Sequence, residues 1–200
     1  MKMKKWIPLG VLFVAGSLSA GPITYSVIMN GPSESPANAS PGTGSALIII
    51  DSTANTLNIV SETFSGLTSG TTASHIHCCT ALPGSGTAGV ATQVPTFTGF
   101  PLGVTSGSYS MSFDMTQAST WNPAFVTAHG SVAGAEAALV AGAAAGEAYL
   151  NIHSTNFGGG EIRGFLVAVP EPGTLSFAFV SLAGMFLASK LRKGRPSLEA

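Results

Sequence analysis

Residues 74–80 read Ser-His-Ile-His-Cys-Cys-Thr, and this stretch holds two of the chain's four histidines and both of its cysteines. A third histidine, His153, ends the run Asn151-Ile152-His153, and Gly160-Glu161-Ile162-Arg163 follows closely. Imidazole is a favoured ligand of zinc and copper, and a carboxylate can complete or orient such a set. His75, His77 and His153, with Glu161 as fourth ligand or orienting group, therefore form a candidate Zn or Cu site. Two other readings are open. Glu161 and Arg163 can make an ion pair beside histidines that only satisfy hydrogen bonds under a loop. Alternatively, His153 and Glu161 can act as an acid–base pair on a substrate. No Walker loop, nucleophile elbow or dinucleotide fingerprint accompanies these residues.

Cys78 and Cys79 are neighbours, and adjacent Cα atoms lie about 3.8 Å apart across a trans peptide. That is closer than ordinary disulfides require. A bond between them must end the strand in a turn, which the following Thr80-Ala81-Leu82-Pro83-Gly84 permits. Free or intermolecular thiols, thiolate ligation of a metal, or small apolar residues at a strand end are the alternatives.

The elements that would position these groups are strands. Short β-prone runs bounded by Gly, Pro, Ser and Asn occur at 23–29, 44–50, 56–63, 72–77, 108–115, 148–153 and 161–168. Seven such runs predict a mainly β domain, an immunoglobulin-like or superoxide-dismutase-like sandwich or barrel. Side chains alternate along a strand. With Ile76 facing the core, His75 and His77 share the opposite face. With Leu150 and Ile152 inward, Asn151 and His153 turn outward, as do Glu161 and Arg163 beside inward Ile162 and Leu166. A hairpin through the glycine-rich 154–160 would bring His153 near Glu161 and Asn151 near Arg163. The stretch 80–107 is a long loop of the kind that often binds something. One or two short helices are expected at 122–145. Asn122 caps Pro123 there, and an Ala-rich segment follows with a thin apolar face of Val132, Ala135, Leu139 and Ala143.

The chain has 200 residues, 45% hydrophobic and only 8% charged, so Ser, Thr and Gly must cover much of the surface. Its cations cluster at the ends. Up to residue 168, the interior has Arg163 alone against Glu34, Asp51, Glu62, Asp114, Glu136, Glu147 and Glu161. Nucleic-acid binding needs several cations to displace condensed counterions, so that partner class is excluded.

The two ends read as addresses. Residues 1–20 combine a basic start, an apolar run and small residues up to Ala20, the pattern of a secretory signal peptide. The domain then occupies 21–168. At 169–195, Pro170-Glu171-Pro172 precedes an uncharged stretch 173–189 and the cluster Lys190, Arg192, Lys193, Arg195. That stretch is near the short limit for a bilayer of about 30 Å hydrocarbon, and the basic end would stay cytoplasmic. Triplet, helix and basic end resemble the PEP-CTERM sorting signal of exopolysaccharide-producing Gram-negative bacteria. The resemblance implies an exosortase-type processing enzyme as partner. It also implies transient residence in the inner membrane, then the cell surface or extracellular matrix. A permanent transmembrane anchor is the alternative.

The interior itself resembles the chordin-type CHRD domain. The carrying segments are Gly44-Ser45-Ala46, Phe64-Ser65-Gly66-Leu67, His75-Ile76-His77, Ala148-Tyr149-Leu150-Asn151-Ile152-His153-Ser154 and Gly160-Glu161-Ile162-Arg163-Gly164. Cys78-Cys79 stands where many relatives have Gly-Pro. The resemblance implies an extracellular β fold and delivers no activity. A looser similarity, His-x-His on a β-sandwich, is to copper–zinc superoxide dismutases, which need more histidines than this chain has. The expectation is an exported, non-enzymatic module of the envelope or exopolysaccharide matrix. The alternative is a Zn- or Cu-binding protein built on the histidine cluster.

Overall fold

Branched and aromatic residues alternate with small polar ones along most of the interior, which favours strands buried on one face. The computed structural model describes residues 21–170. It contains β1 (Ile23–Asn30), β2 (Thr43–Asp51), β3 (Thr56–Ser65), β4 (Thr71–His77) and β5 (Gly107–Asp114). These are followed by α1 (Pro123–Ala128), α2 (Val132–Ala145), β6 (Tyr149–Ser154), β7 (Ile162–Phe165) and β8 (Val167–Ala168). The leader read at 1–20, Glu171 and Pro172 of the triplet, the apolar segment 173–189 and the basic tail lie outside the described residues. Among the described residues no helix is long and apolar enough to cross a membrane.

Every expected strand forms within about two residues of its expected bounds, the last splitting at Leu166 into β7 and β8. All join one antiparallel path, β4-β6-β7-β1-β2-β3-β5, with β8 on β1. The mainly β expectation is thus met by a single curled sheet, a half-barrel, rather than by two separately hydrogen-bonded sheets. Tyr25, Val27 and Met29 of β1, Ala46, Ile48 and Ile50 of β2, and Leu57 and Ile59 of β3 fill its concave side. Register shifts between Leu47 and Ile48, and between Ile59 and Glu62, mark a bulge. Val60 and Ser61 both stay exposed there, and Glu62 and Phe64 take over the inward positions.

An unpaired edge strand exposes amide and carbonyl groups. The 78–106 connection covers the β4 edge. Ala91 N donates to Ile76 O at 2.9 Å, Cys78 N to Gly89 O at 3.1 Å and Phe97 N to Ser74 O at 3.0 Å. The same segment reaches β5, where Tyr109 Oη donates to Thr98 O at 2.9 Å. Phe97 and Phe100 plug the open side of the curl, against Tyr109, Phe113 and Phe64.

The helices start as their caps dictate. Asn122 accepts from Ala124 N ahead of Pro123, and Ser131 accepts from Gly134 N. Gly146, at φ 74°, ends α2 in the left-handed conformation that glycine tolerates best. The buried face of α2 is Ala135, Leu139, Gly142 and Ala143, with Val132 only half-buried.

Candidate metal centre

Strand alternation puts His75 and His77 on the same face of β4, and β6 lies alongside with His75 opposite Asn151 and His77 opposite Tyr149. His153 pairs with Ala73, two residues up the same face, so three imidazoles meet diagonally across two strands. Ring centroids are 4.6 Å apart for His75–His153, 4.8 Å for His75–His77 and 5.8 Å for His77–His153. One ring nitrogen from each lies within 4.8 Å of the others.

This face, expected to point outward, is buried. His75 is 5% exposed and His77 and His153 are 8% exposed, because the 78–106 connection and the 154–161 turn lie over them. The cover also fixes the rings. His77 Nδ1 sits 2.8 Å from Ala88 O, and His153 Nδ1 sits 2.9 Å from Gly158 O. A carbonyl only accepts, so each Nδ1 carries the proton and each Nε2 keeps a lone pair. Those two Nε2 atoms and His75 Nδ1 are buried without a hydrogen-bond partner. Burial, reinforced by His153 and His77, lowers the His75 pKa to about 3. Burial lowers His77 to about 4, outweighing the Ala88 bond, with His153 and Arg163 adding to it. His153 is lowered by burial against the Gly158 bond. All three rings are neutral at pH 7, the state a metal needs. Tetrahedral bonds of about 2.0–2.1 Å put donors roughly 3.4 Å apart, so ligation would draw the widest pair together by about 1.4 Å.

A second layer holds the first. The Tyr149 ring lies parallel to His77 at 4.7 Å, and its hydroxyl accepts from Ala88 N and donates to Ala88 O, each at 3.2 Å. Arg163 stacks on the other side of Tyr149, its Cζ 4.7 Å from the ring centroid. The guanidinium donates to Ser33 O and, at 2.9 Å, to Gly86 O. The expected neighbourhood of Asn151 and Arg163 is present as a directly opposed pair.

Glu161 stands elsewhere. Its Oε1 accepts from Ser40 Oγ at 2.7 Å and from Thr68 N at 2.6 Å, and it is not among the atoms that group with the histidines. Burial would raise this carboxyl, but the hydroxyls of Ser154 and Ser40 and the groups of Thr68 hold it below its ordinary value. The ion pair expected between Glu161 and Arg163 is likewise replaced. Glu34 Oε2 is the carboxylate oxygen near Arg163 Nε, at 3.8 Å. Burial pushes the Glu34 carboxyl to about 7 in spite of Arg163, the Ser35 amide and Asn151. Strand reasoning missed Glu34, whose only hint was an acid inside the turn-forming Pro32-Ser33-Glu34-Ser35-Pro36. It missed Glu62 as well, since the bulge that turns Glu62 inward leaves no mark in the pattern.

Cys78 and Cys79 are joined by a disulfide across a cis peptide bond. It follows His77 directly, ends β4 and packs on α2. Its sulfurs lie 3.8 and 3.5 Å from Ala138 O, over the space that Gly142 leaves by lacking a side chain. Thiolate ligation and free thiols are excluded in this state.

A curled antiparallel half-barrel with a sealed layer of polar side chains on its convex face defines the class. The CHRD domain family matches residues 25–166, from within β1 to Leu166, and the chain belongs to that family. Neither a curated protein nor a solved structure matches it.

Proposed function

We propose that this protein is an exported CHRD-domain module of the cell envelope or exopolysaccharide matrix that holds one Zn or Cu ion on His75, His77 and His153. The observation carrying the metal is the convergence of three buried nitrogens without partners. Neutral rings and carbonyl-fixed tautomers support it. The role is binding and structural, not enzymatic: catalytic zinc sites keep a position open to substrate, and here the donor atoms are sealed. Export is supported by the leader pattern at 1–20 and by a disulfide suited to an oxidising compartment. The terminal segment is read as a PEP-CTERM signal, cut near Pro170 by an exosortase-type enzyme after transient membrane insertion.

Elemental analysis of the purified full-length protein tests the metal. The expected result is a single Zn or Cu ion per chain, lost in the His75→Ala, His153→Ala double variant. Metal-free wild-type protein after incubation with either ion would refute the reading. Intact mass of the protein from the native host tests the tail. A chain still carrying Arg195 would refute cleavage, and absence from the matrix fraction would count against the setting.

A further inference from the structure

We infer that the ion preferred by this three-histidine group is monovalent copper, Cu(I), over Zn(II). The inference rests on the metal-binding reading above and concerns which ion that site selects.

Three observations carry it. The first is ligand number. Zn(II) is almost always four-coordinate in protein sites, whereas Cu(I), with a filled d shell and a single charge, is commonly satisfied by three donors. Among the described residues, the grouped ligand atoms are three imidazole nitrogens with no carboxylate or thiolate. Glu161 Oε1 accepts from Ser40 and Thr68, Glu34 Oε2 lies against Arg163, and Cys78 is bonded to Cys79, and neither carboxylate joins the group.

The second is charge. Neutral imidazoles leave the whole charge of the ion in a sealed, low-dielectric place. The cost of taking an ion out of water rises with the square of its charge, so a divalent ion is penalised about fourfold more than a monovalent one of similar size. At most, the Glu34 carboxyl cancels the Arg163 guanidinium beside it, so this pair supplies no net anion to neutralise a divalent centre.

The third is closure. His77 Nε2, His153 Nε2 and His75 Nδ1 are all out of solvent, under segments pinned by Ala88, Gly86 and Gly158. A water molecule as fourth zinc ligand would have to be trapped with them. A three-coordinate ion needs no such water.

The test uses purified full-length protein under argon. Copper is supplied with ascorbate rather than a thiol, so that the Cys78–Cys79 bond stays intact. Cu(I) retention is measured in competition with the chromogenic chelator bicinchoninate, and Zn(II) retention against a chromogenic zinc chelator of similar strength. The expected result is a single Cu(I) held at a chelator excess that strips Zn(II) completely. X-ray absorption should then show three nitrogen neighbours and no fourth light atom. Zn(II) held as firmly as Cu(I) would overturn the inference while leaving the three-histidine site standing. So would a four-coordinate spectrum that reverts to three in Asn151→Ala, whose Oδ1 is buried and unpartnered. Retention of neither ion would overturn the proposed function along with it. Cu(I) retention unchanged in His75→Gln and His153→Gln, with far-ultraviolet dichroism confirming the fold, would place the copper elsewhere and overturn both.

Discussion

Replacing Glu62 by glutamine should stabilise the protein increasingly as the pH rises. Glu62 enters the core only because the β3 bulge reverses the alternation after Ile59, and it is fully buried. Ser74 Oγ donates to its Oε1 at 2.7 Å, and Oε2 has no partner. Burial raises its pKa from 4.5 to about 7, against the Ser74 bond. A folded pKa above the unfolded one means that the folded state holds the proton longer. The contribution of Glu62 is therefore fully present below pH 4.5 and is lost as the pH rises through about 7. At 1.36 kcal/mol per unit, that loss amounts to roughly 3 kcal/mol. Wild-type stability alone will not show it cleanly. The lowered pKa values of His75, His77 and His153 act in the opposite sense, contributing stability above 6.5 that disappears as the pH falls. Subtracting the wild type from Glu62→Gln removes those shared contributions. The amide also leaves a buried N–H in place of Oε2, a constant offset that does not change with pH. The difference in melting temperature, followed by circular dichroism, should grow by roughly 6–12 °C in favour of the variant between pH 4.5 and 8. A difference that stays flat across that window would refute the assignment of Glu62 as a strained, proton-holding core residue.

Three further outcomes are expected. Loading the metal at about a hundred times its dissociation constant should stabilise the fold by about 2.7 kcal/mol. That is a rise of roughly 5–11 °C in melting temperature, and it should be absent in His153→Ala under the same scan. Gly142→Ala places a methyl group against both sulfurs of the Cys78–Cys79 disulfide, and urea titration should show a loss of about 1–3 kcal/mol from overpacking. Arg163→Met removes the cation beside Glu34 and frees the Ser33 and Gly86 carbonyls. It should cost about 1–3 kcal/mol by the same titration and make the segment around exposed Leu82 more susceptible to limited proteolysis.

The histidine trio was legible in part, because alternation, a local rule, puts residues 75 and 77 on one face of β4 and residues 151 and 153 on one face of β6. That β4 and β6 lie side by side is a long-range pairing across residues 78–148, which the pattern does not show. Glu161 defeated the same rule because it precedes β7. Gly160, at φ 128°, turns the chain just before it, so its side chain goes to Ser40 and Thr68. The strands were legible to within about two residues, but the single curled path was not, since pairing order depends on long-range closure. Nor does alternation reveal what lies on top of a strand. The polar face reads as outward in the pattern, yet the 78–106 connection and the 154–161 turn bury it. That cover is held by carbonyls of Gly86, Ala88 and Gly158, which any sequence supplies equally.

The sealed layer also bears on why it exists. Each buried polar atom left without a partner costs about 1–3 kcal/mol, so His75 Nδ1, His77 Nε2 and His153 Nε2 together would cost roughly 3–9 kcal/mol. A domain's whole net stability is about 5–15 kcal/mol. Leucine-like side chains at these positions would avoid that cost, as Ile76, Leu150 and Ile152 do on the other face of the same strands. Three grouped ring nitrogens without partners are therefore poor packing on their own. A cation held between them would offset that cost. On this argument a His75→Leu, His77→Leu, His153→Leu triple variant should be more stable than metal-free wild type and lose all response to added metal. If it is less stable than metal-free wild type, the histidines are ordinary packing residues and the site has no reason to exist.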